Sequence, residues 1–478
     1  MEIIVIIASL LAASLAGVAF KRKIIIESAS VLAALVAFVA AAKIALRVAD
    51  SGVYSPYAFF SVDALGAIAM LIVATVGLAA ACYSVAYLRR EVAKGIIGLT
   101  RVRQYYVLLA LFLAAMQVAV AASSPLFTWV FIEATTLCTA FLISFYNKSS
   151  AMEAAWKYLM INSIGLLLAL FGTLLFSAGG SSEGFLTWNA LMDGAKQLDP
   201  AIVQMAFIFV LVGYGTKVGL APMHTWLPDA HSKAPSPISA LLSGVLLNVA
   251  LVAILRFAAV ANNAVGQSFT QHLLIAFGAI SVLLAAIAIL TQKNYKRLLA
   301  YSSIENMGLI VIGVGFGGVG AFAAILHMIY HSLLKSSLFF MAGNFLLKYG
   351  SAYIAKVRGS LRVIPATTVL FLLALFAVAG FPPFGIFFTE FFTLSAGLKS
   401  YAVIVVLVLA ALAIAFIGFF RNANAMALTA KPTDVKSGEV NKWLVLPPLV
   451  LVVLALVLTF YMPAFLQTLI DQASARYQ

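Results

Sequence analysis

Charge is what this chain has least of. Only 10% of its 478 residues are Asp, Glu, Lys or Arg, against about a quarter in a soluble domain. Acids are scarcer than bases, 16 against 30, and the net charge is +14. With 64% hydrophobic residues and a mean hydropathy of +1.08, a soluble globular fold is excluded. There are two cysteines, Cys82 and Cys138. Two cannot make a disulfide scaffold or hold an iron–sulfur cluster, and since both lie in apolar runs they are expected to be buried core thiols. The sequence has no glycine-rich dinucleotide loop and no haem motif, so no redox site, cofactor or metal is expected within this chain. The alternating pattern of a membrane β-barrel is missing as well.

What is present is a series of apolar runs of roughly 18 to 25 residues, so the chain is expected to be an all-α polytopic membrane protein. Fourteen segments can be placed, near 2–20, 24–46, 58–87, 105–122, 125–146, 152–178, 201–221, 236–260, 270–290, 298–317, 319–347, 363–393 (interrupted), 401–420 and 443–467. The first lacks a basic flank and opens a run of similar segments, so it is expected to stay as a helix and not to be cleaved as a signal. Loops after odd-numbered segments carry 21 of the 30 lysines and arginines, among them Arg89, Arg90, Lys94, Lys148, Lys233, Lys296, Arg297, Lys348, Arg358 and Arg421. Loops after even-numbered segments and the tail hold Arg47, Lys196, Lys399 and Arg476. The positive-inside rule then makes the odd loops cytoplasmic and turns both termini to the outer face of the cell inner (plasma) membrane. The high net charge reflects this orientation, with a soluble partner on the basic face as a further reading, and no nucleic-acid role is expected.

Two segments break in similar words, GLAPMHTW from Gly219 and GFPPFGIF from Gly380, 161 residues apart. Five helices fit between them. An odd number inverts the second copy, and inverted repeats with interrupted helices are a transporter arrangement. The plainer alternative is two proline kinks in packed helices.

The few charges inside apolar runs are the sharpest signal. A lone ammonium at mid-membrane costs roughly 3 kcal/mol or more, yet Lys217 lies within IVQMAFIFVLVGYGTKVGLAP. Glu133, in TWVFIEATTLCTAFLISF, is its natural partner. Opening and closing such a pair changes proton affinity, whereas a static pair would only lock two helices. His327, His331 and Lys335 recur at steps of four, about 6 Å apart on one helix face, as a water-bridged relay requires. Without a nearby carboxylate or cysteine they are a poor zinc site. Glu390 would end this row toward the outer side. Glu305 is either an accessory carboxylate or a helix-start residue favoured by the dipole. Glu153 and Lys157 form an i,i+4 pair, and Lys157 is deep enough to tune its neighbours. His224 and His231, in MHTWLPDAHSKAPSPIS, belong either to a proton uptake point or to a rigid connector anchored by Trp226. Asp63 is expected to be a cap or packing hydrogen bond, and Arg256 to snorkel.

These stretches resemble the antiporter-like membrane subunits shared by respiratory complex I, Mrp-type cation/proton antiporters and group 4 membrane-bound NiFe hydrogenases. The resemblance spans nearly the whole chain. It rests on VFIEATTL, VGYGTKVGLAPMHTWLPDAHSKAPSPISALLSG, LLAYSSIENMGL, LHMIYHSLLKSSLFFMAGN and GFPPFGIFFTEF, and the wording is most similar to the hydrogenase-4 component F type. It implies about fourteen helices, with helices 4–8 and 9–13 as inverted five-helix repeats and helices 7 and 12 broken. The divisions would be N-terminal helices over 1–104, a first repeat over 105–262, a second over 263–422, and a cytoplasmic loop with helix 14 over 423–478. Glu133 and Lys217 would be the carboxylate and lysine of the first half-channel, Lys335 the central lysine of helix 11 with His327 and His331 beside it, and Glu390 the helix-12 group. Relatives often have lysine or histidine in helix 8, where this chain has Asn248. Asn248 does not titrate, so water or Ser243 would have to bridge. The chain stops soon after segment fourteen, which implies no lateral helix of the kind appended to the largest complex I relative.

The function implied is proton translocation within a multi-subunit redox complex of hydrogenase, formate hydrogenlyase or complex I type. NiFe and iron–sulfur centres would sit in partner subunits, with soluble redox subunits on the cytoplasmic side, other membrane subunits alongside, lipid around, and H+ as the moving ion. The alternatives are a subunit of a multi-chain Na+/H+ antiporter without redox chemistry, where Na+ also moves, and a passive anchor whose buried charges only hold helices together.

Overall fold

The computed structural model describes residues 1–178 and 187–477. The apolar runs fold as helices because continuous hydrophobicity leaves backbone groups no partner but their own chain. The N-terminal part comprises α1 (Glu2–Ala19), α2 (Lys23–Ser51), a short antiparallel hairpin of β1 (Tyr54–Tyr57) and β2 (Phe60–Val62), and α3 (Ala64–Ala93). Then come α4 (Leu99–Ala121), α5 (Pro125–Ile143), α6 (Ser149–Ala178), the short α7 (Trp188–Gly194), and α8 (Pro200–Val218) followed by α9 (Trp226–Lys233). Next, α10 (Ser236–Leu241) runs through a π turn at Leu242–Leu246 into α11 (Leu247–Val265). The rest is α12 (Gln267–Thr291), α13 (Tyr295–Phe316), α14 (Gly318–Tyr349), α15 (Ser360–Val363), α16 (Pro365–Val378), α17 (Gly385–Gly397), α18 (Ala402–Ala427), α19 (Leu446–Phe460) and α20 (Ala464–Ser474).

Twelve helical stretches among the described residues are long and apolar enough to cross a bilayer. Two expected segments fall outside that set. In α14 the polar side chains of His327, His331, Lys335 and three serines dilute the hydropathy. The interrupted pair α16 and α17 has halves of 14 and 13 residues. Both breaks lie where the proline motifs fall: α8 ends at Gly219 in a left-handed conformation (φ 83°), and α16 ends before Gly380 (φ 70°). The peptides Ala221–Pro222 and Pro382–Pro383 are cis.

The architecture is centred on α14, which packs against α3, α10, α13, α16, α17, α19 and α20. Residues 236–261 are likewise all buried. Several local expectations are corrected. Segment three does not start near 58, because residues 54–62 form the hairpin and Asp63 caps the helix. The last segment does not run to 467, because α19 stops at Phe460 and Pro463 starts a separate helix. Cys82 is exposed and Cys138 half-buried, since an apolar run in a membrane protein has a lipid-facing side that hydropathy alone does not separate from the core. Lys296, counted above among the loop charges, is 1% exposed.

Arg256 does not snorkel. It is 3% exposed and pairs with Asp63 at 2.9 Å, while Arg476 reaches the other Asp63 oxygen at 2.7 Å. Asp63 also accepts from Gly66 N at 2.9 Å, capping α3. Burial would raise the Asp63 carboxyl, but the Arg256 and Arg476 guanidiniums outweigh it and hold the group well below the usual carboxylate range.

Candidate proton relay in the helix core

Lys217 lies in the last turn of α8, where the helix dipole favours a cation, and its side chain is fully buried. Its Nζ donates to Thr136 Oγ1 at 2.8 Å and to the Tyr158 hydroxyl at 2.6 Å. Tyr158 in turn shares a 2.5 Å hydrogen bond with Thr139. Glu133 is half-buried on α5, one turn before Thr136. Its Oε2 accepts from Thr136 Oγ1 at 3.2 Å and its Oε1 from Ser163 Oγ at 3.3 Å. The acid and the lysine therefore make no contact ion pair. One threonine hydroxyl stands between them, accepting from the ammonium and donating to the carboxylate. A hydroxyl in that position can pass a proton by turning over its donor and acceptor roles.

Two further features hold this arrangement. The Trp226 indole, at the start of α9, donates to Thr216 O at 2.8 Å and packs edge-on against Tyr158. α6 and α8 approach closely where Gly165 meets Thr216 and Gly213 meets Ala169, the small-residue contact that lets membrane helices pack.

The second cluster belongs to α13, α14 and α17. His327 Nε2 lies 3.0 Å from Asn306 Oδ1 and Nδ1 lies 2.9 Å from Thr389 Oγ1. The Asn306 amide nitrogen donates to Ser302 O, which leaves its oxygen to accept. Nε2 therefore carries a proton toward Asn306, while Thr389 Oγ1, which also donates to Ile386 O at 2.9 Å, can meet Nδ1 as donor or acceptor. His331 Nε2 donates to Ser243 O at 3.3 Å, inside the π turn, and its Nδ1 has no partner. Lys335 is fully buried, and its Nζ donates to Leu299 O at 3.1 Å. An ammonium has three donors, so Lys335 is either a neutral amine or an ammonium completed by ordered water. Both are states that a relay passes through.

Glu305 is 3% exposed, with Oε2 unpartnered, and lies ten residues into α13. That depth rules out the helix-start reading. Glu305 and Lys335 act on each other electrostatically, as do Glu305 and Glu390. The Glu390 carboxylate packs against the break at Gly380, where any Cβ would collide with it. On α11, Asn248 donates to Ser332 Oγ at 2.7 Å and its Oδ1 is bare, and in the π turn Ser243 Oγ shares a 2.6 Å hydrogen bond with Ser303. Lys157 is half-exposed. It pairs with Glu153 at 2.6 Å and lies 3.6 Å from Asp229, which also holds Arg297. His224 faces Tyr301, while His231 is sealed against Phe339 with both nitrogens bare. Sequence reasoning missed Thr136, Tyr158, Ser163, Asn306, Ser303 and Thr389. The position of Thr136 one turn after Glu133 was the only signal available.

A polytopic helical membrane protein with titratable groups buried beside two interrupted helices defines a class, the antiporter-like membrane subunits. Residues 122–418 match the family described as NADH:quinone oxidoreductase/Mrp antiporter, transmembrane, and the chain belongs to that family. It is 40% identical over 346 residues to a hydrogenase-4 component F homolog of Methylacidiphilum infernorum, covering 71% of this chain and 73% of the relative. It is 30% identical over 423 residues to NADH-quinone oxidoreductase subunit N of Desulforudis audaxviator, covering 86% and 82%. Its fold matches a chain of the membrane-bound sulfane sulfur reductase, an archaeal respiratory membrane complex. The TM-score is 0.88 at 24% identity, over 100% of this chain and 98% of that one. The chain is thus a multi-pass, antiporter-like membrane subunit homologous to hydrogenase-4, complex I and Mrp subunits.

Proposed function

We propose that this chain moves protons across the membrane as one subunit of a redox complex of group 4 NiFe hydrogenase, formate hydrogenlyase or complex I type. The observation that carries the reading is the Lys217–Thr136–Glu133 linkage: a fully buried lysine joined to a carboxylate through a single hydroxyl. A strut would gain more from direct contact, because a buried charge is stabilised best by a close, well-aligned partner. Spacing by a hydroxyl suits transfer.

In this reading α14 and the α16–α17 pair are two further crossings, which makes fourteen. The parts from 105–262 and 263–422 are inverted repeats, and the basic loops face the cytoplasm with both termini outside. Glu133 and Lys217 serve the first half. Lys335, His327, His331 and Glu390 serve the second, with Glu305 beside Lys335. Water near Asn248 and Ser243 joins the halves, and Lys157, His224 and His231 tune or feed the relay. Electrons move elsewhere. Among the described residues no group of three or more His, Cys, Asp or Glu side chains converges as a metal site, and we assign the NiFe and iron–sulfur centres to soluble partner subunits on the basic face. Redox energy reaches this chain as a bias on the spacing of Glu133 and Lys217.

The test is turnover-driven acidification of vesicles holding the parent complex, with Lys217→Met or Lys335→Met in this chain. The reading expects assembly to persist and proton movement to be lost. Full pumping by both assembled variants would leave only the anchor. The family also includes Mrp antiporters. Proton movement driven by a Na+ gradient, without any electron donor, would favour that second reading.

A further inference from the structure

The basic face holds a buried acid that the relay above does not use. Glu91 lies in the last turn of α3, between Arg89, Arg90 and Lys94, a context that suggests a solvated surface. It is instead 3% exposed. Its Oε1 accepts from the Tyr146 hydroxyl at 2.6 Å, and Tyr146 lies 3.1 Å from the Tyr87 hydroxyl. Its Oε2 is buried without a partner. A bare oxygen on a buried carboxylate is costly unless it is protonated or wetted.

The neighbouring cations are mostly committed elsewhere. Arg89 pairs with Glu27 at 2.5 Å, and Lys94 donates to Leu347 O. Lys296 of α13 acts on Glu91 electrostatically, yet among the described residues the two form no contact pair. The buried Nζ of Lys296 donates instead to Ala234 O at 2.7 Å. Ala234 caps α9, the helix that carries His231. His231 feels both Lys296 and Lys335. Glu91 Oε2, His231 Nδ1 and Nε2 and Glu305 Oε2 are bare, and their residues are linked electrostatically, Glu91 to Lys296, His231 to Lys296 and Lys335, and Glu305 to Lys335; Ser302 Oγ, on the same helix as Lys296 and Glu305, is bare as well. Buried polar groups without protein partners are where ordered water binds.

We propose that Glu91 is a proton-loading carboxyl that feeds the second half of the relay through Lys296 and His231. Glu91 Oε2 takes a proton from the basic face while Tyr146 holds Oε1. The carboxyl hands that proton through water to the neutral amine of Lys296, leaving a carboxylate and an ammonium. The ammonium returns to amine as a ring nitrogen of His231 is protonated, and the imidazolium releases the proton through water to Lys335. The branch rests on the proposed relay at Lys335, and it ties α3, which lies outside both repeats, to the proton path.

The test uses the parent complex in vesicles, with Glu91→Gln in this chain, which preserves the acceptor for Tyr146. Turnover-driven proton movement is expected to fall about tenfold or more. The difference infrared spectrum recorded on turnover is expected to lose one protonated-carboxyl band, a change that a merely structural role would not produce. A parental rate with an unchanged spectrum, beside an inactive Lys335→Met complex, overturns the branch and leaves the relay standing. A parental rate in Lys335→Met removes the relay and the branch with it. If Glu91→Gln does not assemble, Lys296→Met carries the same two expected losses and the same refutation.

Discussion

Replacing Thr136 with valine removes one oxygen from the point where the acid and the lysine meet. Lys217 has two protein acceptors, Thr136 Oγ1 and the Tyr158 hydroxyl. Losing a hydrogen bond to a charged group costs about 1.5–3 kcal/mol. At about 1.4 kcal/mol per decade, a barrier raised by that amount slows proton movement roughly tenfold to a hundredfold. Thr136→Ser keeps the oxygen and is expected to keep most of the rate. The assay is the initial rate of acidification by vesicles carrying the assembled complex, with electron transfer measured in parallel and assembly checked on native gels. Equal rates for the valine, serine and parental complexes would refute the claim that the hydroxyl joins Glu133 to Lys217.

Other outcomes follow from the same contacts. Asp63→Asn leaves Arg256 buried without its carboxylate and is expected to cost about 3–5 kcal/mol at neutral pH. Because the native Asp63 carboxyl lies below its unfolded value of about 3.9, its stabilisation is present above that value and lost as pH falls through the native one. Melts of variant and parent should therefore converge in strong acid, and a gap independent of pH would contradict this. Gly213→Ala would bring a Cβ to 2.6 Å from Gly165 O and 2.7 Å from Ala169 Cα. Forcing α6 from α8 should cost about 1–3 kcal/mol and part Tyr158 from Lys217, visible as a lower melting point and slower pumping. Asn248→Leu removes the amide that faces Ser332 and is expected to slow proton movement roughly tenfold, the effect of one lost hydrogen bond, with the α6–α8 contact unchanged in a structure of the variant.

The long helices were legible because hydropathy is a property of runs, and α3, α12 and α18 have few charges to interrupt them. The breaks were legible because proline and glycine act locally. Lys217 and Lys335 stood out because charge is rare in such runs. Glu91 and Lys296 escaped for the opposite reason: each lies among several basic residues, and density of charge says nothing about which side chain turns inward. The bond from Asp63 to Arg256 spans 193 residues and that to Arg476 spans 413, so no spacing could announce either. Tyr158 and Thr389 were silent, and Thr136 was marked only by its place one turn after Glu133, because hydroxyls are common in membrane helices and only their partners distinguish a relay from helix packing. Glu133 and Lys217 were legible as neighbours, but the oxygen between them was not.

A structure of the parent complex at a resolution that shows ordered water tests the central claim most directly. The account predicts water at the bare atoms of Asn248, His331 and Glu305, continuing to Lys335 and reaching an aqueous face in at least one state. Dry packing around Lys217, Lys335 and Asn248 in every state would contradict it.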